Sequence, residues 1–320
     1  MLGKHIITVS SQKVHFRLEI KRNITIIRGD SATGKTTLVG LISDYESLGR
    51  DSGVKLKCDK PCRVLFGNDW RLKLQYLRDS IVFIDEGNSF IRSEDFARAV
   101  RKSDNYYVII TRENLYNLPY SVEEIYEMKA IRKSISLGKV YNGIRRFYSD
   151  LPLSSHPLTD GELLITEDTN AGHDFYLHIA NSEGVLCLAA GGKSKIFEMA
   201  SSTQKKLVII ADGAAFGCEI DRLFNLQKTN PGRIKMYLPE SFEWTVLASG
   251  LIADSQIRDI LAAPENYVDS AKFFSWEQYF TELLEAKTRG SYLQYSKSRL
   301  APYYLQSENL RKIIDFIEKE

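Results

Sequence analysis

The sequence predicts an α/β chain with two sheets: a mostly parallel sheet behind a small hairpin in the first half, then a smaller α/β layer ending in a helical tail. Three observations carry this. Short Val- and Ile-rich runs alternate with longer amphipathic stretches, the pattern that builds parallel sheets. The 320 residues suffice for two domains of ordinary size. Residues 148–161 hold Pro152, Pro157 and Gly161 among small polar residues and mark a break. The predicted domains are 1–148 and 162–320, joined by a linker over 149–161.

In the first half, residues 4–9 and 13–19 read as two strands, the second alternating Val14, Phe16 and Leu18. Residues 24–27 form a β-branched run suited to a buried strand. Gly29-Asp30-Ser31-Ala32-Thr33-Gly34-Lys35-Thr36 follows, a complete phosphate-binding loop of the Walker A type. Its two glycines let backbone N–H groups turn toward phosphate oxygens. Lys35 would reach the β- and γ-phosphates, and the Thr36 hydroxyl would ligate Mg²⁺. Thr36 and Thr37 then open a helix whose N-terminus faces the anion. Residues 49–62 read as loop, 63–66 as a strand and 70–77 as a helix. Residues 81–84 are an apolar strand ending in Asp85 and Glu86, the Walker B pattern. Asp85 would hold Mg²⁺ through water, and Glu86 would orient or deprotonate the attacking water. Residues 90–101 read as a helix capped by Ser93, with Glu94 and Asp95 in its first turn. Residues 106–110 are a further strand, ending at Thr111 and Arg112.

The second half alternates again. Strands are predicted over 163–166, 185–190, 207–210 and 234–238. Helices are predicted over 172–181, 193–201, 216–226 and 240–251, and the last seventy residues read as helical and Tyr-rich. Carboxylates follow the first and third strands, at the end of the sheet where open α/β folds place ligands. Gly191-Gly192-Lys193-Ser194 is not a second phosphate loop, because Cys187 stands where the first glycine is required. His173 and His178 share one predicted helix, where packing and metal ligation are both open to them. Tyr279 to Tyr304 mixes aromatics with Lys287, Arg289, Lys297 and Arg299, which suits either helix packing or single-stranded nucleic acid.

The loop, the hairpin before it and Asp85-Glu86 make residues 1–150 resemble a compact P-loop NTPase of the ABC/AAA-like group. That resemblance implies ATP and Mg²⁺ as cofactors. Residues 29–37 would bind the nucleotide, Lys35 and Glu86 would act in catalysis, and Thr36 and Asp85 would serve the metal. Thr111 resembles the polar residue that senses the γ-phosphate. Arg112 could be an arginine finger, cap a helix or pair with Glu113. The ABC signature Leu-Ser-Gly-Gly-Gln is missing, and no Asn-Lys-x-Asp motif for guanine appears, so ATP is the expected nucleotide. Residues 160–250 resemble a TOPRIM domain, the metal-binding fold of topoisomerases, primases and OLD-family (overcoming lysogenization defect) nucleases. Glu167 would be its catalytic carboxylate and Asp212 its metal ligand. The family's Asp-x-Asp is reduced here to Asp212-Gly213-Ala214. Asp221, Glu219, Glu240, Glu243, Asp168 and Asp174 are the available substitutes for the lost carboxylate.

These resemblances imply a P-loop ATPase whose nucleotide state controls a TOPRIM-like domain acting on nucleic acid, as in bacterial or phage defence. Two alternatives stand beside it. One is an ATP-driven assembly switch that binds a protein partner. The other is a P-loop phosphotransferase with Arg92, Arg98 and Arg101 as a lid. A homo-oligomer is expected. Net charge is +2, but residues 1–150 carry 26 Lys and Arg against 18 Asp and Glu, a net +8, and the remainder a net −6. The four cysteines make no disulfide framework, and Cys58 and Cys62 lack the further ligands a zinc site needs. No apolar stretch reaches membrane-spanning length. No membrane partner and a cytoplasmic protein are therefore expected.

Overall fold

The computed structural model describes residues 1–29, 33–134, 139–154 and 156–319, with only the backbone of 132–134. It is an α/β fold with two sheets. The chain divides into two compact units, Met1–Ser149 with Ala263–Ser275, and Asp150–Ala262 with Trp276–Glu320.

The first unit begins with an antiparallel hairpin, β1 (His5–Ser10) and β2 (Val14–Ile20). Both strands alternate, with Ile7, Val9, Phe16 and Leu18 turned to the core. β3 (Ile24–Arg28) is buried along its whole length, as its unbroken apolar run requires. Then follow α1 (Lys35–Leu48), β4 (Lys55–Lys57), β5 (Cys62–Val64), α2 (Trp70–Tyr76) and β6 (Ile81–Ile84). α3 (Glu94–Arg101), β7 (Tyr106–Ile110), β8 (Ile125–Ser134) and β9 (Lys139–Arg146) complete it. The sheet order is β4-β1-β2-β9-β8-β3-β7-β6-β5.

This sheet is mixed: parallel pairings predominate among the described strands, in line with the mostly parallel sheet expected, and antiparallel strands join it. β3 pairs parallel with β7 and β8, β6 with β5 and β7, and β2 with β9, but β1 pairs antiparallel with both β2 and β4, and β8 with β9. The hairpin β8–β9 has no continuous apolar run. It buries Ile125 and Met128 and exposes Lys129, Arg145 and Arg146, so its strand character shows only when it pairs between β2 and β3.

The sheet must also curl. Lys57 ends one edge strand and Cys62 begins the other. Five residue steps span at most roughly 18 Å. Nine flat strands at ~4.8 Å spacing would put their edges about 38 Å apart. α1 fills the concave side: Leu38, Val39 and Ile42 share one core cluster with Ile7, Val9 and Phe16 from one arm and Ile27, Phe83 and Val108 from the other. Against the opposite face, Phe96 of α3 meets Tyr107 edge-on at 6.0 Å.

Residues 263–275, predicted within the 162–320 stretch, pack with the first unit. Gly3 N donates to Glu265 O at 2.7 Å and Asn23 Nδ2 to Phe273 O at 2.8 Å. The Arg101 guanidinium lies 4.9 Å from the Phe274 ring.

The second unit alternates β10 (Leu163–Thr166), α4 (Ala171–Glu183), β11 (Leu186–Ala189), α5 (Lys193–Ser202), β12 (Leu207–Ile210), α6 (Ile220–Thr229) and β13 (Ile234–Tyr237). α7 (Phe242–Ala248), α8 (Ser255–Ala262), α9 (Trp276–Thr288) and α10 (Ser307–Ile317) follow. Its four strands run parallel in the order β11-β10-β12-β13. Each strand is four residues long and fits its apolar run, and each predicted helix lies within a few residues of an observed one. No helix among the described residues is long and apolar enough to cross a membrane.

Candidate functional site

The candidate site of the first unit lies where β3, β7 and β6 end side by side. Ile27 pairs with Ile110, and Ile84 with Ile109, so Gly29, Thr111 and Asp85 emerge at one edge of the sheet. Gly29 and Gly34 have φ of 116° and 92°, the left-handed region that favours glycine. A Cβ on Gly34 would also stand 3.4 Å from the Phe16 ring. Gly34 caps α1, and its carbonyl accepts from Leu38 N at 2.9 Å. Asp30, Ser31 and Ala32 of the predicted loop lie outside the described residues.

Lys35 is only 7% exposed, and its side chain folds back over the loop. Nζ donates to Gly29 O at 2.8 Å and to Thr33 Oγ1 at 2.9 Å. An arriving phosphate oxygen would offer this ammonium an anionic acceptor. Thr36 and Thr37 are exposed in the first turn of α1, a turn without an acidic side chain. The positive end of the helix is therefore uncompensated locally.

Asp85 is half-buried, and its Oδ1 accepts from Glu86 N at 2.8 Å. Glu86 is exposed and pairs with Arg112, Oε1 to Nε at 3.2 Å. Arg112 thus meets Glu86, while Glu113 pairs with Arg92 at 3.1 Å. Thr111 is buried; its N donates to Ile27 O at 3.2 Å, and its Oγ1 accepts from Glu113 N at 3.0 Å. The hydroxyl is held at the seam between β3 and β7.

Mg²⁺ fits this donor set. It takes one or two protein oxygens and leaves its other positions to water and phosphate. The Thr36 hydroxyl and the Asp85 carboxylate are the residues that would hold it.

In the second unit, Thr166 pairs with Ile210 on the neighbouring strand, so Glu167 and Asp212 leave the sheet together. Asp212 N donates to Glu167 Oε2 at 3.4 Å. Both line a cavity of about 40 Å³. That is room for an ion or a water molecule, not for a sugar or a base. The turn after β12 needs its glycine: a Cβ on Gly213 would stand 2.4 Å from Leu238 O. Ala214, two residues after Asp212, is buried, and its N donates to Glu240 O at 3.3 Å.

The cavity draws carboxylates from later elements. Of the available substitutes, Glu243 on α7 and Asp168 line it, whereas Glu219, Asp221, Glu240 and Asp174 do not. Asp168 is bound within its own turn, accepting from Asn170 N at 3.0 Å. Asp174 Oδ2 accepts from Leu300 N at 3.1 Å. Glu277 on α9 adds its charge to the same group, and neither motif nor spacing pointed to it. Tyr295 OH donates to Glu243 Oε1 at 2.8 Å. Lys297 lines the cavity and forms an ion pair with Glu277.

The electrostatics follow from that crowding. Burial, then the charges of Glu277, Glu243 and Glu167, push the Asp212 carboxyl well above the usual carboxylate range. Burial and Glu277 raise Glu167 to about 7. Burial pushes the Lys297 ammonium toward the neutral form, but Glu277, Glu243 and Asp212 outweigh it and hold the cation.

Among the described residues, no three carboxylate, imidazole or thiol groups converge to hold an ion. The cation facing these carboxylates is Lys297. The nearby Gly191-Gly192 turn closes on the same strand end, Gly192 N donating to Glu167 O at 2.7 Å, and Lys193 Nζ is bound to Ala215 O at 2.9 Å. His173 bonds Thr166 Oγ1 at 2.7 Å, while His178 is exposed. In the tail, Tyr295 and Tyr304 are buried, and Lys287 pairs with Asp254 at 2.5 Å. Tyr292 and Tyr303 stay exposed and meet edge-on at 5.4 Å.

No protein-family model and no curated protein matches this chain.

Proposed function

We propose that the chain is a Mg²⁺-dependent ATPase of the P-loop type, and that its nucleotide state controls the second unit. One observation carries this reading. The loop ending in Lys35 and Thr36, the pair Asp85-Glu86 and the buried Thr111 stand at one edge of three adjacent parallel strands. The backbone of the loop and the start of α1 bind the triphosphate. Lys35 turns to phosphate oxygens. Glu86 orients the attacking water and takes its proton, once Arg112 releases it. Mg²⁺, when bound, neutralises charge on the β- and γ-phosphates. Thr111 meets the terminal phosphate.

The test is Lys35→Ala. Binding of a fluorescent ATP analogue and phosphate release are expected to fall by about 10²-fold or more, the scale of losing a charged contact to the transition state. Undiminished nucleotide binding by the variant would sink the proposal.

Glu167 and Asp212 leaving adjacent strands support a TOPRIM-like second unit. Lys297 facing its carboxylates favours the assembly-switch reading over the nuclease reading, with a protein partner, and further copies of the chain, recognised in the ATP state. The phosphotransferase reading draws least support, because Arg92 and Arg98 are paired with Glu113 and Asp95. The deciding experiment incubates the protein with single-stranded and plasmid DNA, Mn²⁺ and ATP, beside a Glu167→Ala/Asp212→Ala variant. No cleavage by either is expected. Cleavage by the unaltered chain alone would restore the nuclease.

A further inference from the structure

Two thiols lie at the seam of the curled sheet. Cys58 follows the edge strand β4, and Cys62 begins the opposite edge strand β5. Cys58 is half-buried; Cys62 is buried in the core cluster beside α1, and Cys58 packs against that cluster. Each thiol shifts the ionisation of the other, so the two are neighbours. Lys60 N donates to Cys58 Sγ at 3.5 Å, and Cys62 Sγ donates to Lys60 O at 3.9 Å. The intervening loop thus folds both sulfurs around one backbone unit.

The charged groups around the pair are mixed. Asp59 opposes a thiolate at Cys58, whose Sγ donates to Asp59 Oδ1 at 3.6 Å, while Asp59 Oδ2 is bound to His5 Nδ1 at 2.8 Å. The Lys60 ammonium is paired with Asp79 at 2.5 Å. Arg63 favours a thiolate at Cys62, and the Cys58 sulfur opposes it. Proximity to Cys62, set against burial, draws the Cys58 thiol below its usual range, and Cys58 together with burial pushes Cys62 up. Such a division makes the more accessible sulfur the nucleophile and the buried one its resolving partner. Cys187 and Cys218 are buried, and burial raises both to about 11. Neither is poised to react.

The geometry points to Cys58 and Cys62 as a peroxide-reactive dithiol whose closure to a disulfide ties the two edges of the nine-stranded sheet together. The Cys58 thiolate attacks one oxygen of hydrogen peroxide. The O–O bond breaks, hydroxide leaves and takes up a proton, and Cys58 becomes a sulfenic acid. Cys62 then gives up its proton and attacks the Cys58 sulfur. The S–O bond breaks, and the second oxygen leaves as water. The two thiols supply the two electrons that peroxide accepts. Because α1 packs between the joined edges, the bond restrains the helix that begins at Lys35.

The test is oxidation of the full, native chain with hydrogen peroxide, followed by alkylation, digestion and mass spectrometry. Cys58 is expected to be joined to Cys62 in the same chain, with Cys187 and Cys218 still alkylated. In Cys62→Ala, which keeps a small apolar side chain in the buried position, Cys58 is expected to stop at a sulfenic acid trapped by dimedone. Peroxide is expected to raise the thermal unfolding midpoint of the unaltered chain and to leave that of Cys58→Ser unchanged. Overoxidation of Cys58 while Cys62 stays a thiol would overturn the inference. So would disulfides between chains, or loss of Cys187 and Cys218 at the same rate.

Discussion

At the scale of single residues, one ammonium group organises the second unit. Lys297 balances Glu277, Glu243 and Asp212, so its loss leaves like charges crowded in a small cavity. Lys297→Gln is expected to lower unfolding stability by about 1–3 kcal/mol, the usual penalty for leaving partly buried charged partners unsatisfied. Millimolar Mn²⁺ is expected to restore part of that in the variant and to leave the unaltered chain unmoved. Urea unfolding with and without Mn²⁺, in the absence of nucleotide, checks both. Glu167 makes a second prediction. Its carboxyl ionises near 4.5 in an unfolded chain and at about 7 here, beside Glu277, Lys193, Asp212 and Asp168. Between those values the folded protein keeps a proton that the unfolded chain has lost. Its contribution is complete below pH 4.5 and is lost as pH rises toward 7. Glu167→Gln, neutral throughout, is expected to flatten that part of the stability profile and to be the more stable protein at pH 8. Denaturation midpoints across pH 4–8 measure it.

At the scale of elements, the clearest case is α3. Ser93 Oγ accepts from Phe96 N at 3.2 Å, and Glu94 and Asp95 occupy the first turn. Both features were legible in the sequence, because a cap is a local interaction between residues three apart. Ser93→Ala is expected to cost about 1 kcal/mol in urea unfolding. The four strands of the second sheet were legible for a similar reason: each is a short run rich in apolar residues. The hairpin β8–β9 was not. Its cations mask the alternation, and only pairing between β2 and β3 makes it a strand pair. The site was legible in proportion to its contiguity. Lys35, Asp85, Glu167 and Asp212 could be read because each ends or follows an apolar strand. Glu277 and Lys297 could not, because they meet Asp212 only through the packing of α9 and the chain after it. Position 214 shows the limit of motif reading: Glu243 and Asp168, both available substitutes in the sequence, line the cavity, whereas Glu277 reaches Asp212 only through packing.

At the scale of the molecule, the chain does not visit its two units once each. It leaves the first after Ser149, returns for Ala263–Ser275 and leaves again. The returning stretch is fixed by Glu265 O on Gly3 N and by Phe273 O on Asn23. A single protease nick between residues 149 and 150 is therefore expected to leave the protein in one piece on a sizing column. A denaturing gel would show two fragments. Separation under native conditions would mean that the returning stretch contributes little. By the same logic a fragment of residues 1–149 is missing a component of its own fold, and a synthetic peptide of residues 263–275, added in trans, should complement it. A boundary drawn at one point along the chain would overlook this, because the first unit is assembled from two separate stretches of sequence.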